Sequence, residues 1–202
     1  MAILRSSPTS PFGRKVKLAA AILDLSDSFD VILTDTANPD DPLRTDNPLG
    51  KIPVLVPDSG KPIYDSRVII EYLDLQVGGG AIIPIDPADR IRALTLQALA
   101  DGISDAALLQ VYEVRMRAEA ERSAKVLAYQ ADKVARGLAQ LESDPPSVDG
   151  VLTIGEIAVA CTLGYLDLRF AGAWRDGHPR LVAFLDAFAA RVPAFETTKP
   201  RP

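Results

Sequence analysis

The feature that most constrains this 202-residue chain is a change in residue composition and spacing at three consecutive glycines, Gly78 to Gly80. Before them, short apolar runs alternate with proline and glycine, as in elements joined by tight turns. After them, the segment from Ala88 to Leu141 contains no proline and is rich in alanine, leucine, arginine and glutamate, a composition typical of long helices. A chain of this length can hold two small domains. The pattern therefore predicts domains at residues 1–78 and 87–202, joined by a linker at 79–86.

The N-terminal part is predicted to form a small mixed sheet with helices packed on it. Short apolar runs indicate strands, and two stretches with helical apolar spacing indicate helices. The order is strand–helix–strand, an irregular segment, and then strand–strand–helix. The predicted elements are strand Ala2–Arg5, a helix from Pro11, strand Ser28–Leu33, strand Ile52–Val56, strand Pro62–Tyr64 and helix Ser66–Val77.

The C-terminal part is predicted to be entirely helical. Thr153 and Glu156 have the spacing of a capping box, which marks a helix start. Pro145 and Pro146 end the preceding helix, because proline cannot continue a helical hydrogen-bond ladder. The predicted helices are one with apolar residues from Ile91 to Leu109, one over Glu119–Leu141, one over Ile157–Phe170 and one over Leu181–Val192, with an irregular tail at Thr197–Pro202.

Composition removes several classes of function. The chain has 22 basic and 27 acidic residues, so there is no basic surplus of the kind that binds nucleic acid. A single cysteine excludes an intrachain disulfide framework and a cysteine-built metal site, and a single histidine argues against histidine-based metal binding or a Ser/His/Asp triad. No apolar run approaches a membrane span, and the N-terminal apolar stretch is too short for an export signal, so a cytoplasmic location is expected.

The first candidate site is the hydroxyl cluster Ser6–Phe12, which lies between the first strand and the first helix. A helix N-terminus carries a partial positive charge and unpaired N–H groups, so it favours anions and thiolates. A hydroxyl from Thr9 or Ser10 there can donate a hydrogen bond to such a ligand. The alternative is that one of these two residues only caps the helix.

Two further motifs suggest a bound peptide-like ligand. In Asn47–Leu55, a proline directly before an apolar strand suggests a cis bond at Ile52-Pro53 that exposes the backbone of Ile52; the alternative is an ordinary strand start with trans proline. At Asp65-Ser66, Ser66 is predicted to be the N-cap of the next helix. That position suits a ligand carboxylate, and the alternative is a cap with no ligand.

Together and in this order, these motifs resemble the glutathione S-transferase superfamily over essentially the whole chain. The resemblance implies a thioredoxin-like N-terminal domain of βαβαββα order, followed by an all-helical domain. It implies that Ser10, or Thr9 beside it, contacts the sulfur of glutathione. Asn47–Pro53 matches the family's loop with a cis proline, where the backbone of Ile52 before Pro53 pairs with the cysteinyl part of glutathione.

The other end of glutathione is assigned by the same resemblance. Asp65 and Ser66 match the family's acidic–serine pair, which holds the γ-glutamyl end, and Lys51 is a candidate for the glycine carboxylate. The family's thiol-exchange branches have cysteine where this chain has Ser10. The only cysteine is Cys161, inside an apolar helix, which favours a buried small side chain and a serine-type member without metal.

The resemblance therefore implies a transferase that stabilises the glutathione thiolate for attack on an electrophilic small molecule. Alternatives are a glutathione-binding or protein-interaction module with little catalysis, and a glutathione-dependent peroxidase, isomerase or lyase. A homodimer is expected from the family, with no nucleic acid or membrane partner. Residues Leu108–Arg115 are expected near the electrophile, while Asp101 or Asp105 either reaches the partner's glutathione or lies on an ordinary helix face.

Overall fold

The computed structural model of the chain describes residues 1–200; residues 201 and 202, the last two of the predicted irregular tail, lie outside the described part. Strands and helices follow the predicted division, with a mixed sheet first and helices after it. The elements are β1 Ala2–Ser6, α1 Pro11–Ile22, β2 Phe29–Leu33, α2 Leu43–Asp46, β3 Val54–Val56, α3 Ser66–Gln76, α4 Pro87–Met116, α5 Ala124–Ser143, α6 Ile154–Phe170, α7 Pro179–Arg191 and α8 Ala194–Thr197.

The sheet has the order β2-β1-β3, with β1 in the centre. β1 pairs with β2 in parallel, Leu4 opposite Val31, and with β3 in antiparallel, Leu4 opposite Leu55. Leu4 and Leu55 are buried, as expected for apolar side chains on the covered face of a central and a neighbouring strand. The sheet therefore places the ends of β1 and β3 side by side at the edge where the candidate residues lie.

Helix α1 packs very closely on β1, at the start of the predicted site. A Cβ atom built at Gly13 would overlap the Ser6 Oγ, so only glycine allows this approach. The opposite face of α1 contacts the C-terminal helices, where the buried Arg14 donates to the Phe195 carbonyl at 2.5 Å. Helix α1 is thus held between the sheet and the helical part.

Helices α4 and α6 form the centre of the helical part and run in the same direction. Near the start of α6, a Cβ at Gly155 would lie 2.9 Å from Leu96 Cδ2. Further toward the C-terminal end of both helices, the Thr162 hydroxyl donates to the Ala100 carbonyl at 3.0 Å and lies 2.9 Å from the Ser104 hydroxyl. This register places residues after Thr162 beside residues after Ser104.

The segment between the two parts is tied to α3 by one buried carboxylate. Asp74 accepts hydrogen bonds from the backbone N–H groups of Gly80, Ala81 and Ile82 at 2.8, 3.0 and 2.8 Å. The Ile82 carbonyl in turn accepts from the N–H of Ile154, the first residue of α6. These bonds connect the end of the sheet domain directly to the centre of the helical part.

Three local predictions are wrong. The strand at Pro62–Tyr64 is only a single antiparallel bridge, from Leu55 to Ile63. The N-cap of α3 is Asp65, whose side chain accepts from the Arg67 N–H, and Ser66 is the first helical residue. The helix predicted from Glu119 starts at Ala124, because the Ser123 hydroxyl caps it by accepting from Val126 N–H at 3.3 Å.

The remaining differences are shifts of element ends. The strand predicted at Ile52–Val56 starts only at Val54, after the proline that cannot donate to the ladder. The capping box is confirmed: Thr153 N–H donates to the Glu156 carboxylate at 2.8 Å, and the Thr153 hydroxyl accepts from Gly155 N–H. No helix within residues 1–200 is both long enough and apolar enough to cross a membrane.

Candidate functional site

Ser10 is the N-cap of α1 and presents a free hydroxyl proton. Its backbone is extended, with φ −80° and ψ 121°, and its Oγ accepts from the N–H of Gly13 at 3.1 Å. No hydrogen bond within residues 1–200 uses the Ser10 O–H as a donor. A serine hydroxyl can accept and donate at once, so this half-buried group can cap the helix and still donate to a ligand.

Thr9 lies beside Ser10 but has a different partner. Its Oγ1 is 3.3 Å from the Ser7 Oγ, with either atom able to donate. Thr9 is also half-buried, so both hydroxyls predicted for the sulfur lie at the start of α1. Ser10 combines the helix N-terminus with an uncommitted proton, which makes it the better placed of the two.

The loop before β3 is shaped by Asn47. Its buried side chain donates to the Lys51 carbonyl at 2.9 Å and accepts from the Leu49 N–H at 3.0 Å. The turn also needs Gly50, whose φ of +60° is in the left-handed region. The peptide bond Ile52-Pro53 is cis, in agreement with the prediction from the sequence.

This loop leaves the backbone of Ile52 open. Pro53 is buried against the domain, whereas Ile52 is half-buried and Lys51 is exposed. Neither the N–H nor the C=O of Ile52 makes a hydrogen bond within residues 1–200. An adjacent donor and acceptor of this kind can pair with the backbone of an extended peptide.

The start of α3 offers a second set of unpaired groups. Ser66 is 3% exposed, and neither its hydroxyl nor its N–H makes a hydrogen bond within residues 1–200. Asp65 is exposed and its carboxylate lies 3.3 Å from the Arg67 guanidinium. A helix N-terminus with unpaired donors next to a carboxylate suits a ligand group that carries both charges, such as an amino acid end.

A buried ion pair behind the site was missed from the sequence. Lys15 on α1 is buried, and its ammonium donates to both oxygens of Asp101 on α4, at 2.6 and 2.7 Å. Arg67 approaches the same carboxylate at 3.8 Å. The Asp101 carboxylate is therefore already paired with cations of its own chain. The signal in the sequence was a lysine next to Val16 on the apolar face of α1.

Asp105, one helical turn beyond Asp101, is exposed and unpaired by any cation within residues 1–200. Partial loss of solvent and the neighbouring Asp101 carboxylate raise its pKa, while Arg67, Lys51 and Lys15 lower it. Of the two α4 carboxylates considered from the sequence, Asp105 is the one that a second molecule can reach.

Comparisons with known proteins identify the family to which the chain belongs. The sequence model of the glutathione S-transferase N-terminal domain matches residues 4–80, and that of the glutathione S-transferase C-terminal domain matches residues 97–187. The chain belongs to the glutathione S-transferase family. It is 38% identical to the uncharacterized GST-like protein YibF of Escherichia coli strain K12 over 203 residues, which cover 98% of both chains.

Solved structures of the family superpose over the whole chain. A glutathione S-transferase from Methylobacillus flagellatus KT, with glutathione bound, has a TM-score of 0.92 at 38% identity, and all of both chains is covered. A glutathione transferase family member from Pseudomonas fluorescens Pf-5, also with bound glutathione, has a TM-score of 0.93 at 40% identity and the same coverage. The glutathione transferase fold predicted from the sequence is confirmed.

Within this family, Cys161 separates the chain from members that use a protein thiol. Cys161 is 2% exposed, and burial raises the pKa of its thiol to about 12, although Arg14 and Lys15 favour the thiolate. A buried and protonated thiol is neither a nucleophile nor a partner for exchange. Cys161 therefore supplies no reactive sulfur in the folded chain.

Two cavities lie elsewhere on the glutathione transferase fold. One of about 490 Å³ is lined mainly by apolar residues around Ile22, Leu152 and Val192. One of about 320 Å³ lies between Arg14, Asp167 and Glu196. Neither is lined by the residues predicted to bind glutathione. Within residues 1–200, no cluster of three or more His, Cys, Asp or Glu side chains could hold a metal ion.

Proposed function

We propose that this chain is a glutathione transferase that binds glutathione across residues 1–78 and activates its thiol at Ser10. The second substrate is assigned to the helical domain predicted at residues 87–202, which the linker predicted at 79–86 joins to the first domain. The observation that carries the proposal is the Ser10 hydroxyl, which accepts from Gly13 N–H and keeps its own proton to donate at a helix N-terminus.

Glutathione is proposed to lie extended between the two sets of unpaired groups. The N–H and C=O of Ile52, before Pro53, pair with the cysteinyl residue, and Lys51 reaches the glycine carboxylate. Ser66 and the start of α3 receive the γ-glutamyl carboxylate, while Asp65 receives its ammonium group. The glutathione bound in the structures from M. flagellatus and P. fluorescens supports glutathione as the ligand.

The thiol loses its proton to solvent, and the resulting thiolate accepts a hydrogen bond from Ser10. Lowering a thiol pKa by one unit requires about 1.4 kcal/mol of differential stabilisation. A hydrogen bond to a charged group contributes about 1.5–3 kcal/mol, and the helix N-terminus adds to it. The sulfur then forms a bond to an electrophilic carbon, and no general base from the protein is needed.

The test is the pKa of the bound thiol, which is measured from the ultraviolet absorbance of the thiolate at a series of pH values. Ser10→Ala removes the donor and is expected to raise this pKa by about one unit or more. Ser10→Thr keeps a hydroxyl at the N-cap and is expected to stay close to the unmodified protein. Thr9→Val tests the neighbouring hydroxyl. An unchanged thiol pKa in Ser10→Ala would assign the sulfur contact to another group.

The alternative functions differ in what happens after glutathione binds. Retention on immobilised glutathione without turnover of an aryl halide or an organic peroxide indicates a binding module. Turnover of the peroxide alone indicates a peroxidase. Conjugation of the aryl halide, lost in Ser10→Ala and kept in Ser10→Thr, supports the transferase.

We also propose that the chain forms a twofold homodimer. Large apolar side chains that are exposed in the single chain support this: Leu49 and Val68 near the glutathione site, and Ile91 on α4, are 69%, 50% and 65% exposed. Light scattering after size-exclusion chromatography measures the mass. A mass of one chain at micromolar concentration would contradict the dimer.

A further inference from the structure

The inference concerns the outer edge of the sheet, which β2 forms. The strand order β2-β1-β3 leaves one side of β2 without a neighbouring strand within residues 1–200. The Thr34 N–H donates to the Ser6 carbonyl at 3.0 Å, so every second residue before Thr34 also points its backbone groups toward β1. The N–H and C=O groups of the residues between them, Val31 and Leu33, therefore point outward, away from the sheet.

This edge is also apolar. Val31, Ile32 and Leu33 are 43%, 40% and 70% exposed. Edge strands are usually protected from pairing with other chains by lysine, proline, a bulge or a covering segment. The strand Phe29–Leu33 contains neither lysine nor proline, and it pairs residue by residue with Ala2–Ser6. Outward backbone groups beside exposed apolar side chains are the features by which an extended peptide adds to a sheet.

The chain around β2 is acidic. Between Lys17 and Arg44 the sequence has no lysine, arginine or histidine. Six aspartates lie in this segment: Asp24, Asp27, Asp30, Asp35, Asp40 and Asp41. None of the six forms an ion pair within residues 1–200. The whole chain has a net charge of −5, so this one segment carries more negative charge than the balance of the entire protein.

The carboxylates lie at both ends of the strand. Asp27 is in the 3-10 turn directly before β2. Asp35 comes two residues after the end of β2, and its N–H donates to the Asp41 carboxylate at 3.1 Å, which holds Asp41 at the same end. Asp30, on the strand itself, is exposed. A strand of this length spans about 16 Å, so an extended segment with cations at both ends meets opposite charge at both ends.

We propose that this edge binds an extended, basic peptide segment of a partner protein, which adds to the sheet beside β2. Its backbone pairs with Val31 and Leu33, its apolar side chains at alternate positions cover those of β2, and its lysine or arginine side chains lie near the aspartates. A second copy of this chain would bring six further carboxylates to the same edge, and like charges oppose such pairing. Because β2 and β3 lie on opposite sides of β1, the binding does not depend on glutathione at Ile52.

The probe is a labelled synthetic peptide, Lys-Lys-Val-Thr-Val-Thr-Val-Lys-Lys, and its binding is followed by fluorescence anisotropy at low and high salt. One control peptide has glutamate in place of every lysine. A second control keeps all side chains but has methylated nitrogens at the central peptide bonds, so it lacks the donors that a new strand needs. The basic peptide is expected to bind about tenfold more tightly than either control, and high salt is expected to weaken it.

The first variant places a like charge on the edge. Leu33→Lys is expected to weaken binding of the basic peptide by about tenfold. Leu75→Lys on α3 makes the same change at another exposed leucine, which is 64% exposed, and is expected to stay within about twofold of the unmodified protein. Circular dichroism of both variants checks that the fold is kept.

A second variant removes charge and leaves the apolar edge intact. Asp27→Asn combined with Asp30→Asn is expected to weaken the basic peptide by about three- to tenfold at low salt, with a smaller loss at high salt. The matched control is Asp144→Asn combined with Asp176→Asn, two exposed aspartates beyond residue 87 that form no ion pair within residues 1–200.

Hydrogen exchange followed by nuclear magnetic resonance locates the peptide. Exchange of the Val31 and Leu33 N–H groups is expected to slow when the basic peptide is added, with or without glutathione. Equal binding of the methylated peptide would show attraction by charge alone and would overturn the proposal, as would equal binding of the acidic peptide. A protein that is dimeric by light scattering and becomes monomeric in Leu33→Lys would show that a second copy covers this edge, which also overturns it.

Discussion

Lys15 and Asp101 form a buried ion pair that joins the first helix of the sheet domain to the first long helix of the helical part. Both carboxylate oxygens accept from the ammonium, at 2.6 and 2.7 Å, and both side chains are almost fully buried. Two charges removed from water in this way depend on each other, because either one alone would be an uncompensated buried charge. The pair therefore specifies how α1, with Ser10 at its start, sits against α4.

Removing Asp101 is predicted to destabilise the protein strongly. Asp101→Leu leaves the Lys15 ammonium buried without an anion, and the expected loss is about 3–5 kcal/mol in the free energy of unfolding by urea. Lys15→Met is expected to cost less, since Asp101 keeps Arg67 at 3.8 Å. Arg136→Ala, which breaks an exposed ion pair with Asp132 on α5, is the control and should change stability by less than about 1 kcal/mol.

The double variant Lys15→Met with Asp101→Leu should recover much of the loss, because an apolar pair of similar volume leaves no buried charge. If the double variant is as unstable as the sum of the two single variants, the two side chains do not depend on each other.

Gly13→Ala is predicted to disturb the site through packing alone. The new Cβ would overlap the buried Ser6 Oγ and would lie 3.3 Å from the Ser6 Cβ, so the Ser6 side chain must turn within its packed surroundings and the start of α1 must shift. A loss of about 1–3 kcal/mol is expected, together with weaker glutathione binding measured by calorimetry. Gly102→Ala on α4 is the matched control: nothing lies within 4 Å of its Cβ, and stability should rise by about 0.5–1 kcal/mol. Equal effects of both substitutions would contradict the close contact.

Cys161 is predicted to resist thiol reagents in the folded protein. Its thiol is buried and its pKa is raised to about 12, so at pH 8 almost no thiolate exists and labelling by iodoacetamide must await unfolding. The raised pKa also means that the stability contributed by this group is present below pH 9 and is lost as pH rises toward 12. Cys161→Ala should therefore remove part of the alkaline loss of stability. Rapid labelling of the native protein at pH 8 would contradict this account.

Asp105→Asn is predicted to stabilise the protein at neutral pH. The pKa of Asp105 is raised from 3.8 by partial loss of solvent and by Asp101, so its stabilising contribution exists at low pH and is lost as pH rises through the folded pKa. The variant stays neutral, so its advantage should be present at pH 7 and absent near pH 3. High salt should reduce only the part of the advantage that comes from the Asp101 charge, because salt screens repulsion between charges and not the loss of solvent. Urea unfolding at both pH values measures it.

The sequence was sufficient where a local motif determines a local structure. Ser10 caps α1 because a serine before a proline-led helix supplies an acceptor for an unpaired N–H, and the Thr153–Glu156 box forms for the same reason. At α3 two adjacent residues both have side chains that cap helices well, and the N-cap in the structure is Asp65, not Ser66. The spacing alone does not distinguish neighbours of equal capping ability.

The sequence was insufficient where distant segments determine a residue's role. Nothing near Lys15 indicates that its partner is Asp101, 86 residues later, or that Arg14 contacts the carbonyl of Phe195. The strand predicted at Pro62–Tyr64 has apolar character but retains only the Leu55–Ile63 bridge, because sheet pairing depends on a neighbour and not on composition.

The three hydrogen bonds that Asp74 accepts from Gly80, Ala81 and Ile82 give the glycine-rich connection an unexpected character. A glycine run read from the sequence alone suggests a flexible hinge. One end of this segment is held by a buried carboxylate, and the Ile82 carbonyl is hydrogen-bonded to the start of α6, so the segment is fixed at both ends. The position of the sheet domain against the helical part is thus specified by hydrogen bonds along the connection itself.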